Sequence, residues 1–195
     1  MTARTPDPFP ASMAWVLNNP FMRAMANGTV RRLDLAPGMR VVDVGCGPGR
    51  MTLPLARAVG DAGEVLALDL QPAMLAIVER RAAAGGLRNV RTLEAASGSG
   101  ALPVGRFDLA LLCAVLGEIP SDRRRAAVHE IADALRPGGA LAVVEAIFDP
   151  HRQRRDAVVD LAEPEGLRLE REDRTLTTTL FLLRKPPAPG QDSSA

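Results

Sequence analysis

The chain has 195 residues, of which 47% are apolar and 24% charged, and its net charge at pH 7 is +1. This composition is typical of a globular protein with one compact domain, and it excludes a disordered or fibrous chain. The charge balance argues against a nucleic-acid binder that works through bulk charge. Two cysteines, Cys46 and Cys113, are too few for a disulfide framework or a four-thiolate zinc site, so we interpret them as buried or loop thiols. We therefore expect a cytoplasmic protein without membrane insertion, since the longest strongly apolar run covers only residues 109–116.

Three segments are predicted along the chain. Residues 1–38 carry apolar side chains at helix-like spacing, broken at Asn19-Pro20, which predicts two short helices that could serve as a substrate lid. Those side chains are Trp15, Phe21, Met22 and Met25. Residues 39–185 form the main domain, and the Pro, Gly and Ser of residues 186–195 predict a disordered tail.

Apolar stretches alternate with amphipathic, Arg-bearing stretches in the main domain, which is typical of βαβ units around a largely parallel sheet. We predict strands at residues 40–44, 65–68, 90–93, 109–113, 140–147, 167–170 and 175–183. Because only residues 171–174 link the last two strands, there is no room for a crossover helix and these strands must be antiparallel. The predicted fold is an α/β, three-layer sandwich of about seven strands, mostly parallel, with one antiparallel strand near the edge.

Polar caps, prolines and glycines delimit the predicted helices. One helix, at residues 51–59, follows the first strand directly. Three dipeptides are suited to opening a helix, namely Gln71-Pro72, Ser121-Asp122 and Asp149-Pro150. Two glycine-containing runs are suited to closing one, namely Gly85-Gly86 and Pro137-Gly138-Gly139.

The most informative stretch is a buried strand that runs directly into the loop Gly45-Cys46-Gly47-Pro48-Gly49. A glycine loop lets a ligand approach the backbone closely. The spacing differs from the G-x-G-x-x-G fingerprint of dinucleotide sites, because Arg50 stands where the third glycine would fall. Asp43 at the end of the strand opposes a pyrophosphate and suits a ligand that carries an ammonium group. The charge of the loop therefore favours a cationic ligand.

A second carboxylate, Asp69, ends the second strand, 20 residues beyond Gly49. In doubly wound folds an acid at this place hydrogen-bonds a ribose diol. An acid at the loop and an acid at the second strand together describe a site for a nucleoside with a positively charged amino-acid tail. S-adenosylmethionine has both of these parts.

The run Asp43-Val44-Gly45-Cys46-Gly47-Pro48-Gly49 resembles the first motif of the class I S-adenosylmethionine-dependent methyltransferases. Residues 65–70, 107–112 and 135–141 are similar, in order, to that family's second strand, fourth strand and turn into the fifth strand. The resemblance covers residues 31–184. It implies a small Rossmann-like enzyme with residues 39–185 as the cofactor-binding domain, close to the branch that contains quinone-biosynthesis and other small-molecule methyltransferases.

The resemblance also implies which residues contact the cofactor, and it implies no metal ligands. In chain order the cofactor-binding residues are Asp43, Gly45, Cys46, Gly47, Asp69, Leu70, Met74, Ala96, Ser97, Cys113 and Ala114. The first four would serve the methionine part and Asp69 the ribose. The last two, together with Val115 and Leu116, would line the floor beside the sulfonium. Leu70 and Met74 would pack on the adenine. Ala96 stands where the family usually offers an acid to the adenine amine, so Ser97 or a backbone carbonyl would substitute.

Methyl transfer from a sulfonium mainly requires alignment of the acceptor and exclusion of water, so a catalytic residue need not exist. A base is useful if the acceptor is a hydroxyl or a carbon acid, and the candidates are Glu118, Glu145 and His151. The last of these follows the predicted helix cap Asp149, which would make it a first-turn residue.

Few residues lie outside the core sheet, which favours a small-molecule acceptor over nucleic acid. Three alternatives stay open at this point: an RNA methyltransferase, a catalytically silent S-adenosylmethionine-binding protein, and an NAD(P)-dependent oxidoreductase. The missing third glycine and Asp43 disfavour the oxidoreductase.

Overall fold

A computed structural model describes residues 20–188 of the chain, and the side chains from residue 22 onward. The α-helices are α1 (Pro20–Val30), α2 (Thr52–Val59), α3 (Pro72–Ala84), α4 (Arg124–Ala134) and α5 (Arg155–Ala162). The strands are β1 (Arg40–Val44), β2 (Glu64–Asp69), β3 (Val90–Glu94), β4 (Phe107–Cys113), β5 (Leu135–Ala146), β6 (Arg168–Arg174) and β7 (Thr178–Arg184).

The seven strands form one sheet in the order β3-β2-β1-β4-β5-β7-β6. Strand β7 runs antiparallel to both of its neighbours, and the remaining strands are parallel to one another. This arrangement confirms the predicted α/β class and the single antiparallel strand near an edge. The order places the carboxyl ends of β1, β2 and β4 side by side at the centre of the sheet, where open α/β sheets bind ligands.

The core lies on both faces of the sheet because strand residues alternate between them. In β4, Leu109 and Leu111 pack in the cluster that contains α1 and α2, whereas Ala110 and Leu112 pack in the cluster that contains α4 and α5. All four side chains are almost fully buried. A near-continuous apolar run is what a strand covered on both faces requires.

The link between the last two strands is shorter than predicted. Strand β6 continues to Arg174, so the link to β7 consists of residues 175–177 and not 171–174. The polar residues of the predicted link are accommodated because β6 is an edge strand, where side chains can pair at the surface. Arg171 pairs with Asp173 at 3.0 Å and Arg174 with Glu172 at 2.7 Å.

Three predicted helix boundaries are wrong. Asp149-Pro150 does not open a helix, because the Asp149 carboxylate accepts the backbone N–H of His151 at 2.8 Å within a turn and α5 begins only at Arg155. Ser121-Asp122 lies in a turn before α4. Pro137-Gly138-Gly139 lies inside β5 and closes no helix, since α4 already ends at Ala134.

The predicted N-terminal segment is described in part. Helix α1 begins at Pro20, the predicted break, and Met22 and Met25 are half-buried on it. The first of the two predicted helices, with Trp15, lies outside the described residues, as do the side chain of Phe21 and residues 189–195 of the predicted tail. Among the helices that the structure describes, none combines the length and apolar character needed to cross a membrane.

Glu130 of α4 anchors the loop that follows β3. Its carboxylate accepts the backbone N–H of Gly98 at 2.5 Å and that of Leu102 at 3.0 Å. The loop lies directly on the helix, because a Cβ atom at Gly98 would come within 2.9 Å of the Ala127 nitrogen. Glu130 therefore holds the position of Ser97, one residue before this contact.

Replacing Glu130 with alanine leaves two backbone donors without their charged acceptor. We expect Glu130→Ala to lower the free energy of unfolding by about 2 kcal/mol, the usual magnitude for hydrogen bonds to a charged group. Glu130→Gln should lose less, because the amide oxygen still accepts one bond. Urea denaturation measures both, with Asp133→Ala on the same helix as the control. A loss for Glu130→Ala no larger than for the control would contradict the anchoring role.

Candidate functional site

A cavity of about 530 Å³ opens at the carboxyl ends of β1, β2 and β4. Its volume lies in the range of small-molecule and cofactor sites. All eleven residues that the sequence assigns to the cofactor line it, as does Glu118. Val115, expected on the floor beside the sulfonium, lines the cavity too, whereas Leu116 does not. Nine further lining residues were not predicted as site residues: Pro48, Arg50, Met51, Leu68, Gln71, Ala95, Ile119, Pro120 and Arg123.

The glycine loop needs its glycines at two points for different reasons. Gly45 has φ +66°, and a Cβ atom there would lie 2.7 Å from the Val115 methyl groups, so this glycine allows the loop after β4 to pack against it. Gly47 has φ +51°, and a Cβ atom there would meet nothing within 4 Å. The backbone at Gly47 therefore faces open space, and a ligand can approach it closely.

Asp69 joins the glycine loop to the turn between β2 and α3. One carboxylate oxygen accepts the backbone N–H of Gly47 and the other that of Gln71, both at 2.8 Å. The side chain is 7% exposed and lines the cavity. Each oxygen of an ionised carboxylate has a second lone-pair site, so Asp69 can also accept hydroxyl donors from a ligand.

Asp43 is a buried acid on the cavity wall. Its carboxylate accepts a hydrogen bond from the Thr52 hydroxyl at 2.6 Å. Burial raises the pKa of Asp43 to about 6, although the Thr52 hydrogen bond and the positive charge of Arg50 oppose this shift. A cation placed beside Asp43 would favour its ionised form and lower this pKa.

Both thiols line the same cavity. Burial raises the pKa of Cys46 and of Cys113, so both stay protonated at neutral pH. The Arg50 guanidinium donates to the Cys113 sulfur at 3.3 Å. A protonated, buried thiol is a poor nucleophile, so neither cysteine is suited to covalent catalysis.

The four residues that the resemblance assigns to the adenine are apolar except for Ser97. Met74 is fully buried, Leu70 is 58% exposed, and Ala96 offers only a methyl group. The Ser97 hydroxyl oxygen is buried and has no hydrogen-bond partner among the described residues. A buried hydroxyl without a partner is costly, so a ligand atom that bonds it would be favoured.

The three candidate bases are not equivalent. Glu118 lies exposed at the cavity mouth, where desolvation and the nearby charges of Asp149 and Asp69 raise its pKa and His151 opposes the rise. Glu145 is 2% exposed and does not line the cavity. Burial raises its pKa to about 7, and its Oε1 atom has no partner among the described residues. His151 is an exposed turn residue off the cavity, and not the first-turn helix residue predicted.

The missed residues carry weak sequence signals. Arg50 was visible only as a departure from the dinucleotide fingerprint. Ile119, Pro120 and Arg123 follow β4, whose carboxyl end faces the site, but nothing in their local pattern shows which of them turns toward it. Among residues 20–188, no three His, Cys, Asp or Glu side chains lie close enough together to hold a metal ion.

Residues 41–139, about half of the chain, match a methyltransferase domain family. Nocamycin O-methyltransferase of Saccharothrix syringae is 29% identical over 75% of this chain and 54% of its own length. The ubiquinone and menaquinone biosynthesis C-methyltransferase of Azotobacter vinelandii is 31% identical over 67% of this chain and 51% of its own length. The chain thus spans about half the length of the curated relatives it matches.

Solved structures share the fold at lower identity. A SAM-dependent methyltransferase from Aquifex aeolicus has a TM-score of 0.81 at 22% identity and covers 91% of this chain and 99% of its own. The [4+2]-cyclase SpnF has a TM-score of 0.74 at 18% identity and covers 86% of this chain and 82% of its own. Because one fold can carry different reactions, these structural similarities establish the fold alone. By its domain match, the chain belongs to the methyltransferase domain family, within the class I S-adenosylmethionine-dependent methyltransferases.

Proposed function

We propose that the protein transfers a methyl group from S-adenosylmethionine to a small-molecule acceptor. The observation that carries this proposal is the meeting, in one cavity, of the open backbone at Gly47, the doubly anchored carboxylate of Asp69 and the apolar wall around Met74. These features match a loop-bound amino-acid tail, a ribose and an adenine, respectively. The family membership of residues 41–139 supports the same ligand.

The residues present fit this cofactor at each end. Asp69 has lone pairs left for the two ribose hydroxyls, and the buried acid Asp43 suits the ammonium group. At the adenine end, the unpartnered Ser97 hydroxyl can bond the adenine amine in place of the acid that Ala96 lacks. Leu70, which is more than half exposed in the protein alone, would be covered by the adenine ring.

When bound, the cofactor supplies a methyl group on a positively charged sulfur, which is already a good leaving group. The chain's contribution is to orient the partners and exclude water. A cavity of about 530 Å³ holds one ligand of cofactor size, so the acceptor would reach it from the mouth. Glu118 lies at this mouth, and its raised pKa makes its carboxylate a better proton acceptor than that of an ordinary glutamate. We therefore prefer Glu118 as the base over Glu145 and His151, which lie off the cavity.

The names of the relatives support a small-molecule acceptor. One is an O-methyltransferase named for nocamycin and another a C-methyltransferase of ubiquinone and menaquinone biosynthesis. Their methylated atoms differ, so we assign the acceptor class and not the atom. We also propose a cytoplasmic location, on the basis of two free thiols in the described chain.

We further propose that residues 1–38 serve as a lid over the site. Arg81 donates a hydrogen bond to the Pro48 carbonyl of the glycine loop at 2.5 Å. Helix α1 lies near this contact, since burial and then the positive charge of Arg23 lower the pKa of Arg81. Arg23 on α1 therefore lies near the residue that contacts this loop.

Calorimetric titration with S-adenosylhomocysteine tests the cofactor site. We expect micromolar binding by the native protein and a ten- to hundredfold loss for Asp69→Asn, since a hydrogen bond to a charged group contributes about 1.5–3 kcal/mol. Glu94→Gln is the matched control, because Glu94 pairs with Asp69 on the neighbouring strand but is exposed and off the cavity. Failure of the native protein to bind, or tight binding of NADH instead, would overturn the proposed function.

The proposed contact between Asp43 and the ammonium group predicts a pH dependence. Binding of the cation favours the ionised form of Asp43. At pH values below about 6 the Asp43 carboxyl group must therefore release a proton when the ligand binds, and the affinity for the ligand is lower. The affinity for S-adenosylhomocysteine should rise by up to about tenfold per pH unit below this pKa and level off above pH 7. The rise should be absent in Asp43→Asn and also for 5′-methylthioadenosine, which lacks the ammonium group. An equal rise for both ligands would rule out the contact.

Glu145 is expected to make the free energy of unfolding depend on pH. Because its pKa is raised from 4.5 to about 7, the folded state binds this proton more tightly than the unfolded state. Its stabilising contribution is present below pH 4.5 and is lost as the pH rises through 7, with a total of about 3 kcal/mol. Glu145→Gln should therefore gain stability relative to the native protein between pH 5 and about pH 8. Parallel denaturation curves across this range would contradict the burial of an ionisable Glu145.

A further inference from the structure

A polar cluster joins the loop after β4 to the loop after β5; we call it the Arg124 clamp, and it consists of Arg124, Gln153 and Glu145. The Arg124 guanidinium donates three hydrogen bonds: to the Gly117 and Ile119 carbonyls, both at 2.9 Å, and to the Gln153 side-chain oxygen at 3.1 Å. The Gln153 amide in turn donates to the His151 carbonyl at 2.7 Å. The clamp therefore ties both loops to the start of α4.

Two of these contacts hold the backbone carbonyls of Gly117 and Ile119, the residues on either side of Glu118. Glu118 and Ile119 line the cavity, whereas Arg124 does not. The planar guanidinium presents several N–H groups in a fixed fork, which can satisfy two carbonyls and an amide oxygen at once. A lysine has one nitrogen on a flexible stem and cannot reproduce this arrangement. Arg124 thus acts on the cavity wall through the backbone of the loop.

The loop itself needs to be held. It begins at Ala114, which has φ +58°, a conformation that residues with a Cβ rarely adopt and that persists only where surrounding contacts enforce it. The Ala114 N–H donates to the Val144 carbonyl at 2.8 Å, which fixes the start of the loop. The contacts of Arg124 fix its far side. On this side the two loops also touch, since a Cβ atom at Gly117 would lie 2.0 Å from the His151 carbonyl oxygen.

Glu145 is the buried acid of the clamp and lies near the carboxyl end of β5. The positive charges of Arg124 and Arg152 favour its ionised form, and the negative charge of Asp149 opposes it. These groups come from α4 and from the loop after β5. When it is ionised, Glu145 attracts the guanidinium, although burial makes this ionised form costly to the folded state.

We propose that Arg124 is a positioning residue, which holds the Glu118 loop in the shape that forms one wall of the cofactor cavity. The side-chain oxygen of Gln153 keeps its guanidinium in place. This inference rests on the proposed function only in its choice of S-adenosylhomocysteine as the probe.

The test compares Arg124→Ala and Arg124→Lys with Arg125→Ala, the exposed neighbour on the same helix. Loss of the clamp should weaken S-adenosylhomocysteine binding at least about fivefold, the lower end of usual coupling between sites. Hydrogen exchange of amides 115–119 should become faster, while the central strands keep their protection. The lysine variant should behave like the alanine variant, and Arg125→Ala like the native protein.

Chemical rescue separates positioning from a general loss of stability. Low-millimolar guanidinium chloride should restore binding in Arg124→Ala, because the free cation can occupy the vacated place, and should leave Arg125→Ala and the native protein unchanged. If Arg124→Ala lost binding only because it is less stable, guanidinium would not restore binding, since guanidinium destabilises folded proteins.

Each outcome decides between the two proposals. If the native protein fails to bind the probe, the proposed function falls, and the exchange of amides 115–119 still tests the clamp. If the native protein binds and Arg124→Ala matches it in affinity and exchange, the clamp is overturned. Should Arg124→Ala fail to fold, Gln153→Ala removes one arm, and unchanged exchange in that variant overturns the inference equally.

Discussion

The site depends on one carboxylate that bridges two turns. Asp69 accepts one backbone N–H from the glycine loop and one from the turn before α3, each at 2.8 Å. The first bond fixes Gly47 relative to β2, and the second fixes the start of the helix that carries Met74. Two turns whose bonded residues, Gly47 and Gln71, are 24 residues apart in sequence thereby become one surface. The proposed role of Asp69 toward a ribose uses lone pairs that remain after this structural task.

Parallel strand topology explains why so much of the cavity was predictable. The carboxyl ends of parallel strands meet at one edge, so a residue that ends a strand has its position set by local sequence alone. Asp43 is the last residue but one of β1, Asp69 ends β2 and Cys113 ends β4, and all three line the cavity. The strands themselves were predictable because apolar runs between turn residues mark buried strands with little ambiguity.

The errors arose where one local signal serves two structures. An Asp-Pro pair suits a helix start and also a tight turn, and the Asp149 carboxylate adopts the second by bonding the N–H of His151. Likewise, Pro137-Gly138-Gly139 suits a helix end, but here it lies within β5, where Gly138 donates to the carbonyls of Lys185 and Pro186. The Asp-Pro pair permits both local structures, so its sequence does not decide between them. The glycine run is decided by partners far along the chain, which a single window of sequence does not contain.

The two halves of the cavity differ in whether local sequence or tertiary contacts determine their shape. The wall made by the glycine loop and Asp69 is built from backbone groups near strand ends, so a short motif specifies it. The wall made by Glu118 and Ile119 is shaped by Arg124 and Gln153, which are 29 residues apart and meet only in the fold. A cofactor site can therefore be inferred from sequence, whereas the mouth where an acceptor would enter depends on tertiary contacts. For this reason the sequence points to the methyl donor and leaves the acceptor unspecified: the residues that shape the mouth act through contacts between loops, and their identities carry no motif.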